Sequence, residues 1–250
     1  MTADVTLAGV FMHGSSSTPD APDADGVVWN VSDLAGWDAA PERINAGDLT
    51  GKHGGFGSSS LYASRQLTLS GWCDCPSQAA AFGVRDRLHA LRSGDLVVHE
   101  PTAKVLEVVS GGGVRSDWPL EGPSPVVQWQ IRLTAPDPFK HALTPTTTIV
   151  GPGASVAAAN AGTAAADLVV TLSTAGTVVL SAGGVTLTTQ SLPSGAVIDT
   201  GAATVKDSTG GDLFHLVTLP ALWPALPAGG GMVTQAGTAA LSIEHFDTYA

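Results

Sequence analysis

The chain has 250 residues, of which 44% are apolar and 13% are charged, with 30 glycines and 16 prolines. This apolar content is too high for a disordered chain, and the length is sufficient for two ordinary domains. The formal net charge is −11, and the part after residue 145 contains one lysine against six acidic residues. Because no basic patch is left, we expect no direct binding of nucleic acid.

The first elements are two short strands separated by an acidic loop. Apolar runs predict strands at 5–10 and 27–31. The loop 18–26 between them contains Asp20, Asp23 and Asp25. It lacks the distal bidentate Glu of a calcium-binding loop, so we interpret it as a solvated loop without a metal ion.

A glycine-rich connection follows, and it resembles a phosphate-binding loop only superficially. Too few residues separate Gly47 from Gly51, and His53 stands where a magnesium-binding hydroxyl would be required. We therefore predict no cofactor site. Residues 65–73 then alternate between apolar and polar side chains, as in a half-buried strand.

One helix is predicted, over about 77–93. Ser77 is suited to the N-cap and Gly94 to the position just after the helix. The apolar residues fall on one helical face, at Ala81, Val84, Leu88 and Leu91. Two further strands are predicted at 95–99 and 104–109.

The last strand of the first domain is the segment 126–139. Its residues Val127, Trp129, Ile131 and Leu133 alternate with polar ones, which predicts a strand with Trp129 facing inward. Pro136 and Pro138 end it, because proline cannot donate to a β-ladder. We therefore place a domain boundary after residue 143, with domains at 1–143 and 144–250.

The second domain is predicted to be an antiparallel β-sandwich of jelly-roll-like type. Short apolar segments alternate there with turn sequences rich in Gly and Pro. The candidate strands are 168–172, 177–180, 185–189, 196–199, 213–217 and 239–246. The predicted fold class is therefore mainly β, with a sandwich or split-barrel-like first domain that carries the helix.

Residues of types that catalyse reactions or bind metal ions do not form a recognisable site in this sequence. The C-D-C spacing of Cys73 and Cys75 suits neither a zinc site nor a mutual disulfide, and no G-x-S-x-G elbow is present. Asp137 and Asp199 are best explained as turn residues. We predict no catalytic or metal-binding residues and therefore no enzyme. Trp223, in a proline-bounded loop, is the best candidate for contact with a glycan or partner.

Taken in order, the motifs resemble the distal tail proteins (siphovirus-type tail components, or minor tail proteins) of long-tailed bacteriophages. No single motif is diagnostic, and the ordered series carries the resemblance along nearly the whole chain. The motifs are V-V-W-N-V at 27–31, K-H-G-G-F-G at 52–57, R-Q-L-T-L-S-G-W at 65–72, R-D-R-L-H-A-L-R-S-G-D at 85–95, W-Q-I-R-L-T-A-P-D-P-F at 129–139, N-A-G-T-A-A-A-D-L-V-V-T-L at 160–172 and W-P-A-L-P-A-G-G-G at 223–231.

The resemblance implies a structural protein of the virion tail tip, synthesised in the host cytoplasm and not inserted in a membrane. The first domain would form a homohexameric ring that contacts the tail tube protein, the tape-measure protein and the tip or hub protein. The second domain would be a galectin-like or carbohydrate-module-like sandwich on the outside of the ring. Host cell-wall glycan stays open as a partner, so the alternative function is that of a carbohydrate-binding module.

Overall fold

The structure is a computed structural model that describes residues 3–14, 21–43, 46–48, 55–57, 61–117, 125–218 and 222–250, with only the backbone at 46–48, 55–57 and 61. The chain forms two compact units, Met1–Lys140 and His141–Ala250. Within the described ranges, none of the helices has the length and apolar character needed to cross a bilayer.

Unit 1 contains eleven strands and one helix in its described part. Seven of the strands form an antiparallel sheet in the order β2-β1-β9-β10-β11-β8-β3, and the pairs β4–β7 and β5–β6 are separate. The elements are β1 Asp4–Leu7, β2 Val10–Met12, β3 Val28–Ala35, β4 Glu42–Arg43, β5 Ala46–Asp48, β6 Gly55–Gly57, β7 Leu61–Tyr62, β8 Arg65–Asp74, α1 Gln78–Ala90, β9 Ser93–His99, β10 Lys104–Ser116 and β11 Val126–Ala135.

The two longest paired strands, β8 and β11, show why this sequence folds as it does. They pair over ten residues, from Arg65 opposite Ala135 to Asp74 opposite Val126. Along each strand, buried and exposed side chains alternate, so that one face joins the core and the other faces solvent. Trp129 lies on the buried face, as predicted, and is 3% exposed.

The sheet of unit 1 is closed on itself. The His13 backbone N–H donates to the Trp29 carbonyl at 2.8 Å, and the Val31 N–H donates to the His13 carbonyl at 2.8 Å. The residue that follows β2 is therefore bridged in parallel to β3, at the opposite end of the strand order. This bridge leaves β2 and β3 in contact rather than as two free outer strands at this point.

The helix confirms the predicted start and corrects the predicted end. The Ser77 hydroxyl caps α1 by accepting from the Ala80 N–H at 3.2 Å. The helix ends at Ala90, and the N–H of Leu91 bonds back to the Arg87 and Leu88 carbonyls. Gly94 is not the terminating residue; it lies in β9 with a φ of 130°.

The strand β10 is longer than predicted and runs through three glycines. Its register against β11 shifts between Ser110 and Gly113, where Gly112 and Gly113 have φ angles of 136° and 128°. This bulge lets the strand leave its partner β9 and continue beside β11 to Ser116. Glycine therefore bends the strand here rather than ending it.

The segment that leaves unit 1 is held by two buried cations. Arg65 donates from Nε to the Pro138 carbonyl at 3.0 Å and from Nη1 to the Trp37 carbonyl. Lys140 donates from Nζ to the Trp37 carbonyl at 3.0 Å and lies 5.1 Å from the centre of the Trp37 ring. The Trp37 indole N–H in turn donates to Glu100 at 2.6 Å. The residues after β11 are thus bound firmly to the 36–38 turn.

Unit 2 is an antiparallel sandwich of two five-stranded sheets. The sheets have the orders β13-β22-β15-β18-β19 and β14-β21-β16-β17-β20, and a separate core fills the space between them. The elements, beginning with a strand at the boundary, are β12 Lys140–Ala142, β13 Thr146–Val150, β14 Ala154–Ala158, β15 Val169–Leu172, β16 Val179–Ala182, β17 Val185–Thr189, β18 Val197–Asp199, β19 Thr204–Lys206, β20 Val217–Thr218, β21 Gly231–Gln235, β22 Leu241–His245 and β23 Thr248–Tyr249, with a 3₁₀ turn at Phe214–Leu216.

Comparison with the sequence prediction confirms the mainly β fold class and corrects several segments. The predicted strand at 213–217 is largely the 3₁₀ turn, and only Val217 belongs to a strand. Six strands, β12, β13, β14, β19, β21 and β23, were not predicted. The buried Asn160 side chain joins this unit's loops, because its amide donates to the Ala164, Leu226 and Pro227 carbonyls.

Two glycine substitutions test the packing of unit 1. A Cβ added at Gly71 would lie 2.7 Å from the Trp129 ring and closer still to the Asn30 carbonyl oxygen, whereas one at Gly83 in α1 would meet no atom within 4 Å. We expect Gly71→Ala to lower the free energy of unfolding by about 1–3 kcal/mol. Gly83→Ala should raise it by up to about 1 kcal/mol. Urea unfolding of both variants measures the difference, and equal effects would contradict this packing.

Candidate assembly and binding surfaces

The acidic loop is organised around one carboxylate. Asp23 Oδ1 accepts from the backbone N–H groups of Asp25 at 2.9 Å and Val27 at 3.0 Å. Asp23 Oδ2 accepts from the indole N–H of Trp29 at 2.9 Å and from Arg87 at 2.7 Å. The interpretation of this loop as merely solvated was therefore wrong for Asp23, although Asp25 is largely exposed. Asp20 lies outside the described residues.

Burial and hydrogen bonding have opposite effects on the pKa of Asp23. Burial tends to raise its pKa, but the hydrogen bonds from Trp29, Val27 and Arg87 outweigh this effect and lower the pKa below its ordinary value of 3.8. The Arg87 guanidinium also lies 5.0 Å from the centre of the Trp29 ring. Loop, strand β3 and helix α1 are thus tied together at a single point.

The far end of β10 extends beyond the end of its ladder with β9. The ladder between β9 and β10 ends at the pair Ser93–Val109, while β10 continues beside β11 to Ser116. The Asp117 N–H donates to the Gln128 carbonyl at 3.0 Å. Because hydrogen-bonded and non-hydrogen-bonded pairs alternate in an antiparallel ladder, the backbone groups of Val114 and Ser116 point away from β11. Val114 and Ser116 pair with Ile131 and Trp129 of β11, and the β9 ladder ends before it reaches them.

A groove lies on the solvent face of the sheet, where β3, β8, β10 and β11 run side by side. It has a volume of about 490 Å³. Its centre is Trp72, which is 38% exposed and stands opposite Gln128 on β11 and Asn30 on β3. Sequence reasoning did not single out Trp72, although the alternation of 65–73 places it on the outward face.

The predicted contact residue Trp223 is in unit 2, and it is partly buried against that unit's core. Its ring centre lies 6.2 Å from that of Phe214 at an interplanar angle of 33°. Leu222 beside it is largely exposed. Trp223 therefore contributes to packing and keeps some exposed surface, and its role in binding stays a prediction.

The other singled-out residues have structural positions. Cys73 and Cys75 are free thiols, both buried, and burial raises the pKa of each. Asp137 accepts from the Phe139 N–H and Asp199 from the Ala202 N–H, both at 2.9 Å, which confirms them as turn residues. In the part of the chain that the structure describes, His, Cys, Asp and Glu side chains form no group of three that could hold a metal ion.

No family model and no curated protein sequence matches the chain. Among solved structures, the crystal structure of Dit (gp 19.1) from phage SPP1 matches 100% of both chains, with a TM-score of 0.67 and 15% sequence identity. The chain has the fold of a Dit protein. Two structures of the phage p2 baseplate in its activated conformation, with Ca and with Sr, match 87% of this chain and 90% of theirs, with TM-scores of 0.45 and 0.42 at 10% and 9% identity.

The Dit-like fold extends over both units of the chain. The resemblance to distal tail proteins, which rested on an ordered series of motifs, is therefore confirmed at the level of the fold. At 15% identity the match concerns the backbone path, so the functional role of each side chain follows from its contacts in this chain.

A matched pair of substitutions tests the role of Asp23. Asp23→Asn removes the charge that Arg87 and the Trp29 indole share, and we expect it to lower the free energy of unfolding by about 2 kcal/mol at pH 7. Asp25→Asn, at an exposed partner of the same arginine, should change it by less than about 0.5 kcal/mol. Chemical denaturation followed by tryptophan fluorescence measures both, and equal losses would contradict the role of Asp23.

The same pair gives a pH test. Because the folded-state pKa of Asp23 is lowered, its contribution is present above the unfolded-state pKa, near 3.8, and is lost as the pH falls through the lowered value. The stability difference between the natural chain and Asp23→Asn should therefore shrink below about pH 4. A difference that stays constant from pH 7 to pH 2 would show that the carboxylate charge is not what stabilises this site.

Proposed function

We propose that this chain is a distal tail protein, a structural component of the tail tip of a long-tailed bacteriophage. In this role it joins the tail tube to the tip or hub and the adhesion apparatus. The observation that carries the proposal is the match of the whole chain, both units in the same order, to SPP1 Dit. That protein is described as a paradigm of the hub adsorption apparatus in phages that infect Gram-positive bacteria.

The buried polar residues support a structural rather than an enzymatic role. Arg65, Lys140 and Asn160 bind backbone carbonyls, and each holds a turn or a loop in place. Gln235 does the same in unit 2, where its amide donates to the Thr177 and Ala239 carbonyls. These hydrogen bonds fix the backbone of turns and loops. A component of a permanent assembly requires such a fixed backbone.

The assembly that we propose is a homohexameric ring formed by unit 1, with the tail tube, tape-measure and tip or hub proteins as partners. Closure of the sheet at His13 removes two of its possible outer edges from this role. The edge at Val114 and Ser116 then offers outward backbone groups to a neighbouring copy. Unpaired N–H and C=O groups at a strand edge are a template for pairing with a strand of another chain.

Two experiments test the ring: a measurement of the assembly's mass, and a substitution at Ser116 on the edge of β10. Multi-angle light scattering at increasing concentration should give six times the mass of one chain. Ser116→Pro removes an outward N–H without removing a bond to β11, so we expect it to shift the population toward monomer. Ser116→Ala, which keeps the N–H, should assemble like the natural chain.

Two outcomes would count against this proposal. A natural chain that stays monomeric at high concentration, alone and with tail tube protein, would exclude a ring. Equal assembly by Ser116→Pro and the natural chain would place the contact between copies away from this edge. Antibody labelling of intact virions should independently locate the protein at the tail tip.

A carbohydrate-binding module is the second candidate function, with host cell-wall glycan as the ligand. One observation favours it: an exposed tryptophan, Trp72, stands in a groove among amide and hydroxyl groups. Trp223, the residue that the sequence favoured for this role, is the alternative location.

A further inference from the structure

The groove around Trp72 combines a flat apolar surface with neutral hydrogen-bonding groups. Trp72 and Val126 project from neighbouring strands on the solvent face, and they are 38% and 42% exposed. Ser70 and Gln128 line the groove beside them. An indole ring at this position has no core to join, because the core of unit 1 lies on the opposite face of β8. Its apolar area is available to a ligand.

The neutral polar side chains of the groove can each donate and accept hydrogen bonds. Gln130 donates to the Ser70 hydroxyl at 3.3 Å, and the Ser32 hydroxyl donates to the Ser70 carbonyl at 3.1 Å. These contacts fix the orientation of the groups on one side of Trp72. The Gln128 amide, opposite Trp72, lies at the surface. Amides and hydroxyls arranged in this way match the donor and acceptor pattern of a polyhydroxylated ligand.

The charges of the groove cancel each other. Arg115 and Asp117 line it and form an ion pair, with Nε and Oδ1 3.6 Å apart. A polyanion would meet the Asp117 carboxylate together with a single, already paired cation. This arrangement disfavours phosphate-rich ligands such as nucleic acid, which need several free basic groups.

A peptide strand is also a poor fit on this face. The backbone groups of β8 are used on both sides, in ladders with β11 and β3. A peptide lying in the groove could therefore not extend the sheet. A volume of about 490 Å³ falls within the range of about 300–1,000 Å³ that is usual for small-ligand sites.

We propose that this groove binds a short segment of an uncharged glycan. The apolar face of one sugar ring stacks on Trp72, and Ser70, Gln128 and Gln130 bind its hydroxyl groups. The proposal places carbohydrate recognition in unit 1 rather than at Trp223. It does not depend on the tail-tip function, because it concerns the groove of a single chain.

Titration of the purified chain with neutral tetrasaccharides of glucose, galactose and N-acetylglucosamine tests the proposal. Saturation-transfer NMR and tryptophan fluorescence report binding, and we expect at least one of the three to bind. Trp72→Ala should weaken that binding at least tenfold, and Gln128→Ala should weaken it several-fold. Circular dichroism confirms that each variant is folded.

Two matched controls remove an aromatic ring elsewhere. Phe82→Ala removes an exposed ring from α1 of the same unit, and Trp223→Ala removes the candidate ring of unit 2. Both variants should bind the saccharide as the natural chain does. Loss of binding in Trp223→Ala, with Trp72→Ala unaffected, would overturn the proposal and place the site in unit 2.

Two further results would overturn it. One is the absence of binding of all three tetrasaccharides at millimolar concentration. The other is a Trp72→Ala variant that binds saccharide normally but loses self-assembly in light scattering, which would identify this face as a contact between copies. Saccharide binding lost in Trp72→Ala with assembly unchanged supports the proposal and leaves the tail-tip function as it stands.

Discussion

The architecture of unit 1 depends on Trp29, because its backbone, its ring and its indole nitrogen each hold a different element. The backbone carbonyl receives the His13 N–H and so closes the sheet. The indole N–H donates to Asp23 and fixes the preceding loop. Its ring lies beneath Arg87 of the helix and 6.4 Å from the Trp129 ring in the core. Strand, loop, helix and core therefore share one anchoring residue that is itself 1% exposed.

Local patterns in the sequence predicted those parts of the fold in which neighbouring residues decide the structure. The alternation of β8 and β11, the cap at Ser77 and the turns at Asp137 and Asp199 depend only on residues close in sequence. The misplaced helix end has a tertiary cause. Gly94 is a plausible terminator by composition, but pairing with β10 draws it into β9, opposite Val108.

Glycines also explain why β10 was predicted too short and why β21 was not predicted. Gly111, Gly112 and Gly113 have the composition of a turn. In the structure they form a bulge that lets β10 pair first with β9 and then with β11. The strand Gly231–Gln235 begins with the last residue of a glycine run and has little apolar content of its own. Its place is set by pairing with β14 and β16, which no local pattern reveals.

The surfaces were predicted less well than the fold, for two physical reasons. Asp23 gains its role from Arg87, 64 residues away, so composition alone makes its loop look solvated. For Trp72 the signal was present, because Leu67, Leu69 and Cys73 alternate with it and take the inward face. A tryptophan within an ordinary strand attracts less attention than Trp223 in a proline-bounded loop, although exposure depends on the direction of the side chain.

The two buried cations set the true end of unit 1. A fragment ending at Ala135 would keep strands β1 to β11, yet it would lose Lys140 and leave Arg65 Nε without the Pro138 carbonyl. Buried donors and acceptors without partners cost about 1–3 kcal/mol each. Unit 1 therefore extends past the prolines and ends at Lys140.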